Sequence, residues 1–185
     1  MTAGSSHRYV FRATWRLAAP VDDVYAVLAD PESYPAWWPQ VRSVVRIGSD
    51  AGVMRVRSRL PYDLVVSGTR ELEDPIRRVL RARLEGDISG WSGWTISATG
   101  AGTVAVFDED VVVHKPLLRA LSHVVRPALT WNHALMMRSG ERHLRRYLAA
   151  PAPVTALAPA PAASPAPAPA LAPFADHGVS DAVTP

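Results

Sequence analysis

Three polar residues fall where the patterning of the chain otherwise places apolar side chains. In "LVVSGTRELE", Arg70 shares a strand face with Val66, Gly68 and Leu72, opposite Ser67, Thr69, Glu71 and Glu73. In "VFDEDVVV", Glu109 falls with Phe107, Val111 and Val113 once Asp108 and Asp110 face outward, where they can pair with the face that carries Arg12 and Arg16. In "RPALTWNHALMMRSGERHL", helical spacing sets His133 with Leu129, Met136, Met137 and Gly140. A buried charge needs a partner, so an Arg70–Glu109 contact across the interior is expected. A histidine beside a carboxylate is a general acid–base pair, which makes His133 and Glu109 candidate catalytic residues, with Tyr62 of "LPYDL" as a third. The same residues also fit a structural reading, in which each is a satisfied polar group and "WNH" is a helix-packing motif.

Other chemistries lack their residues. The chain has no cysteine, so neither a disulfide framework nor a thiol nucleophile exists. Its six histidines are dispersed, without an HxH or HxxxH pair, and no metal site is expected. "SSH" and "LSH" lack the strand–turn–helix setting of a hydrolase nucleophile. The acids of "EDP" and "DED" read as solvated. No glycine-rich phosphate loop follows a strand, and no cofactor is expected.

The elements that must position these residues can be read from period and punctuation. "HRYVFRATWRLA" alternates: Tyr9, Phe11, Ala13, Trp15 and Leu17 on one face, arginines on the other, as in a half-buried strand. "PVDDVYAVLAD" reads as a short helix. Pro20 sits at its first position, Asp22 and Asp23 lie in the first turn, and Asp30-Pro31 ends it. "YPAWWPQV" fits a second short helix limited by Pro35 and Pro39. From Val41 to Val113, turn signals separate about six antiparallel strands. Arginines and glutamates alternate on their outer face. Gly90 and Gly93 fit bends or close approach, as does Gly68. "HKPLLRALSHVVRPALTWNHALMMRSGERHLRRYLAA" reads as one long helix from near Pro116, kinked or restarted at Pro127. Gly140 on its inner face costs about 1 kcal/mol against alanine, which asks for a close neighbour. The class is α+β: an antiparallel sheet whose inner face only the long helix is large enough to cover. A curved sheet around one helix leaves an apolar space between them.

Composition sets the partners. The 185 residues carry 20 bases and 17 acids, a formal charge of +3. Residues 150–185 are an Ala/Pro-rich run with too little apolar bulk to fold, read as a disordered, polyproline-biased tail. Residues 1–6 read as a flexible N-terminus and 7–149 as the folded domain. Because arginines interleave with glutamates and no aromatic platform interrupts them, nucleic acid is not expected as a partner. Docking to an anionic membrane is not expected either, and no apolar run supports stable membrane insertion. No signal-peptide pattern opens the chain, so a cytoplasmic location is expected. A protein partner for the tail has no support in the residues.

The element order, with "PVDDVYAVLADPESYPAWWPQV", "LPYDL", "EGDISGWSGW" and "RPALTWNHALMMRSGERHL", resembles the SRPBCC (START-like, Bet v 1-like) superfamily. Within it, the chain looks most like the polyketide cyclase/dehydrase and lipid-transport group. The resemblance spans roughly residues 7 to 148. It implies a helix-grip fold: a curved sheet of about seven strands around a long C-terminal helix, with two short helices after the first strand. It also implies an internal cavity for a hydrophobic or aromatic small molecule, lipid or polyketide-like. Trp37 and Trp38 then sit at the cavity mouth, as gate or as cap. Leu60, Tyr62, Arg70, Trp91 and Trp94 are expected to contact the ligand from the sheet side. Trp131, His133, Met136 and Met137 are expected to do so from the helix. The alternative activity is a polyketide cyclase or dehydrase that uses His133 with Glu109 or Tyr62. Fold alone does not choose between carrier and enzyme.

Overall fold

The computed structural model describes residues 7–57, 63–114 and 122–150, with side chains from Arg126 onward in the last stretch. Leu60, Tyr62, the helix start expected near Pro116, and the two ends read as flexible lie outside the described residues. Strand β1 (Arg8–Leu17) is followed by α1 (Val21–Ala29), a 3-10 turn (Pro31–Ser33) and α2 (Tyr34–Trp37). Strands β2 (Val41–Ile47), β3 (Ala51–Arg57), β4 (Asp63–Asp74), β5 (Val79–Gly86), β6 (Ile88–Thr99) and β7 (Gly102–Val113) come next, and α3 (Ser122–Ala149) closes the order.

The described strands form one antiparallel sheet in the order β1-β7-β6-β5-β4-β3-β2. Hairpin neighbours pair in sequence, and β1 closes onto β7. The alternation of β1 is realised as read: Tyr9, Trp15 and Leu17 are buried while its arginines are exposed. Two of these arginines clamp β1 to β7, Arg8 to Asp110 at 2.5 Å and Arg12 to Asp108 at 3.4 Å. Asp110 is held below the usual carboxylate range, chiefly by the Arg8 hydrogen bond. On β4 and β5, Glu71 lies between Arg83 at 2.7 Å and Arg81 at 3.5 Å, the alternating outer face that the sequence predicts. At Gly90 the backbone takes φ +145° and passes β7 so closely that an added Cβ would stand 2.0 Å from the Asp110 carbonyl oxygen. Only glycine fits there.

Helix α1 buries Val24 and Leu28 and stops at Asp30. The Asp30 carboxylate accepts the Glu32 N–H at 3.2 Å, which turns the chain into the 3-10 segment. Tyr34 is buried, and burial pushes its hydroxyl pKa up, so the phenol stays protonated. It donates to the Leu28 carbonyl at 2.8 Å, tying α2 back to α1. Helix α3 runs through Pro127 as one element rather than restarting there. Its inner face, with Leu129, Met137 and Leu144 buried, lies on the concave side of the sheet.

The interior holds two packed clusters. One gathers Trp15, Leu28, Tyr34, Trp37, Trp38, Trp94 and Leu144 with their neighbours. The other gathers Tyr9, Val66, Ile88, Val111 and Leu129. Gly140 is explained here: an added Cβ would stand 2.7 Å from Cε2 of Trp38 and 2.9 Å from Cη2 of Trp15. Two indoles occupy the space a side chain would need.

Candidate active site in the cavity between sheet and helix

A cavity of about 350 Å³ lies between the inner face of the sheet and α3. Its walls draw on both clusters: Tyr9, Val66 and Leu129 from one, Leu28, Trp38 and Trp94 from the other. The strand positions that line it follow parity. On β4 these are Leu64, Val66, Gly68 and Arg70; on β7 they are Phe107, Glu109, Val111 and Val113. From α3 come Leu129, His133, Met136 and Met137, spaced at helical intervals.

Two titratable groups meet in this apolar space. Glu109 lies opposite Phe11 on β1 and opposite Ser92 on β6. His133 stacks on Phe11 with ring centroids 4.0 Å apart at 12°, and lies 6.0 Å from Phe107 at 25°. Its Nε2 is 3.3 Å from Oε2 of Glu109, with 12% and 11% of the two side chains exposed. The ion-pair distance is met, yet Nε2 is buried without an aligned hydrogen bond. The Phe11 stack fixes the imidazole plane, and the register of β7 fixes the carboxylate.

An aromatic series runs from this pair to the short helices. Phe107 contacts Trp94 at 4.9 Å, Trp94 contacts Trp15 at 4.6 Å, and Trp15 contacts Trp38 at 5.4 Å. Trp37 and Trp38 stack at 5.3 Å. The two tryptophans take different places. Trp38 borders the cavity, whereas Trp37 is buried in the core beside it.

Several sequence expectations are corrected. Arg70 does not reach Glu109. It pairs with Glu73 at 2.7 Å, its side chain 41% exposed, at the edge of the cavity. The cause is a β-bulge: the β4–β5 register shifts between Arg70 and Leu72 and sets Glu73 opposite Leu80, an inward position. Trp91 lies in the continuous strand β6 and does not line the cavity. Its parity sends it to the outer face, where the Arg81 guanidinium covers its ring at 4.1 Å. An aromatic ring therefore does interrupt the outer charges. Trp131 is 59% exposed on the side of α3 away from the sheet. Trp94, Met136 and Met137 line the cavity. Ser92 and Asn132 also line it. Ser92 shares the parity of Trp94 and Ile96, so its signal was present in "SGWSGWTI". Among the described residues no cluster of acids and histidines has the makings of a metal site.

One margin of the cavity carries two ion pairs. Arg46 makes two hydrogen bonds to Glu32, at 3.0 and 2.9 Å, joining β2 to the 3-10 turn. The Arg46 hydrogen bond holds Glu32 below the usual carboxylate range. Arg70–Glu73 stands on the same margin. Beneath it the Tyr25 hydroxyl is buried without a hydrogen-bond partner, its pKa raised by burial and then by Glu73.

The family follows from a comparison of the whole domain. Residues 8–149 match the model of the family described as polyketide cyclase / dehydrase and lipid transport. The chain belongs to that family. Solved structures share this family's fold at low identity. The di-domain aromatase/cyclase BexL from the BE-7585A biosynthetic pathway aligns with a TM-score of 0.63 at 18% identity, over 80% of this chain and 52% of that one. This chain thus spans about half of BexL. Zhui aromatase/cyclase from Streptomyces sp. R1128 aligns at 0.51 and 23% identity, over 74% and 96% of the two chains. A START superfamily protein from Mycobacterium smegmatis aligns at 0.58 and 16%, over 77% and 97%. The START-like resemblance and the helix-grip architecture are thereby borne out. No curated protein matches the sequence.

Proposed function

We propose that this member of the polyketide cyclase/dehydrase and lipid-transport family binds a hydrophobic or aromatic small molecule, lipid or polyketide-like, between its sheet and α3. The observation that carries the reading is the cavity of about 350 Å³, within the range of small-molecule sites and lined by apolar and aromatic walls. Phe107 and Trp94 line it with aromatic surface suited to a flat ligand. Native mass spectrometry of protein purified from its own host, with a Nile red titration of the delipidated protein, tests it. A co-purifying mass that Nile red displaces, or saturable Nile red binding, is expected. An empty protein that leaves Nile red unbound overturns the reading.

The His133–Glu109 pair favours a second reading, cyclisation or dehydration of a carbonyl ligand held in that cavity. One group of the pair takes the proton α to a carbonyl. The resulting carbanion attacks a second carbonyl, whose oxygen is protonated, or it expels a β-hydroxyl as water. A β-hydroxyacyl thioester that carries an aromatic tail is the probe. Glu109→Gln and His133→Gln should abolish its dehydration while retaining Nile red affinity. Binding without turnover in the unaltered protein leaves the carrier reading standing and removes the catalytic one.

A further inference from the structure

We propose that the outward side of α3 is a docking surface for an anionic membrane. On the helix, Trp131, Leu135, Arg138, Arg142 and Arg146 recur at i, i+4, i+7, i+11 and i+15, a single straight stripe about 22 Å long at the helical rise. His133, Met136, Met137 and Gly140 face the sheet, so this stripe faces away from it. Trp131 is 59% exposed, Leu135 is half-buried, and the three arginines are exposed.

Charge distinguishes this stripe from most of the arginine-bearing surface. On the sheet and its hairpins, Arg8, Arg12, Arg46, Arg70, Arg81 and Arg83 are each paired with a carboxylate. Glu141 is the acid of α3, and it is turned aside to Arg145 at 2.7 Å and to the Arg16 N–H at 2.9 Å. Arg138, Arg142 and Arg146 have no carboxylate partner among the described residues. An indole beside unpaired guanidinium groups, on one side of a rigid helix, suits a plane of anionic headgroups. The ring settles at headgroup depth, while the arginines lie along apolar surface with their charges on phosphates. No helix among the described residues is long and apolar enough to cross a membrane, so the contact is peripheral. This reverses the expectation from sequence, which expected no docking to an anionic membrane and placed Trp131 in the cavity. The proposal does not depend on what fills the cavity.

Flotation of the full chain with vesicles of phosphatidylcholine alone, or of phosphatidylcholine and phosphatidylglycerol in equal parts, tests it. Binding to the anionic vesicles alone is expected, weakening as salt is raised. Replacing Arg138, Arg142 and Arg146 together by glutamine should weaken it on the order of a hundredfold, about fivefold for each charge near the surface. Trp131→Ala should weaken it several-fold and Trp131→Phe should restore most of it, with unchanged melting temperatures because these side chains are exposed. Indifference of the unaltered chain to anionic vesicles overturns the proposal, as do variants that bind like it. Tight binding of a single-stranded oligonucleotide that excludes vesicles assigns the stripe to nucleic acid instead. Loss of vesicle binding in Gly68→Ile, a cavity variant, would mean that lipid is extracted into the interior rather than docked on α3.

Discussion

At Gly140 the space that a methyl group would need is taken by two indoles. Alanine would gain about 1 kcal/mol of helix propensity, but overpacking a well-filled core costs about 1–3 kcal/mol. Neither ring has room to retreat, because Trp15 is held between Trp94 and Trp38, and Trp38 is stacked on Trp37. Gly140→Ala should therefore lower stability in urea melts; an unchanged or higher midpoint would show that the indoles yield. The same scale shows what parity can and cannot read. His133 and Glu109 were legible because α3 and β7 are regular, so a fixed period carries each residue to its face. Arg70 was misread because a bulge lies beside it, and a bulge leaves no mark in an alternation pattern until the partner strand's register is known. Trp131 stands only two positions before His133. Two positions on a helix are about 200° apart, so nearness in sequence to a cavity residue placed it on the opposite side.

The segment "YPAWWPQV" shows how an element divides the work of neighbouring residues. Helix α2 is a single turn ending at Trp37, and the chain then extends at Trp38 into β2. That change of backbone sends the two indoles to different surroundings while leaving them stacked. Trp37 packs with Tyr34 and Trp15 in the core; Trp38 lines the cavity. Trp37→Ala should cost about 3–5 kcal/mol, as large aromatic deletions in cores do, with Nile red affinity unchanged in the folded protein. Trp38→Ala should cost stability and shift that affinity as well. Equal effects of both variants on affinity would contradict this division. The helix and its prolines were legible in the sequence, but the split between cork and wall was not, since it depends on where one turn of helix stops. On strand β6 it was Trp91 that was misplaced. Its glycines at 90 and 93 do mark close approach to the neighbouring strands, but the strand runs on unbroken through them, and its parity carries Trp91 to the outer face.

Over the whole domain, element order and inner faces were legible because an antiparallel sheet with a charged outer side leaves one helix to cover its inner side. That a space remains was legible too, but its size was not, because it is the small difference between the curvature of seven strands and the bulk of the side chains inside them. Gly68 tests whether that volume is free of structural cost. It lies mid-strand on the inner face of β4, lines the cavity, and an added Cβ would meet only Leu84 Cδ2 at 3.9 Å. Glycine within a strand forfeits about 0.5–1 kcal/mol against a residue with a side chain, so a filled cavity should be the more stable one. Gly68→Ile should hold or raise the melting temperature while weakening Nile red binding about tenfold or more, equivalent to about 1.4 kcal/mol. A variant that is more stable and no longer binds would mean that the chain forgoes stability to keep its interior open, as a binding site requires. A variant that is destabilised would place packing rather than ligand in that space, and one that binds as before would move the ligand elsewhere.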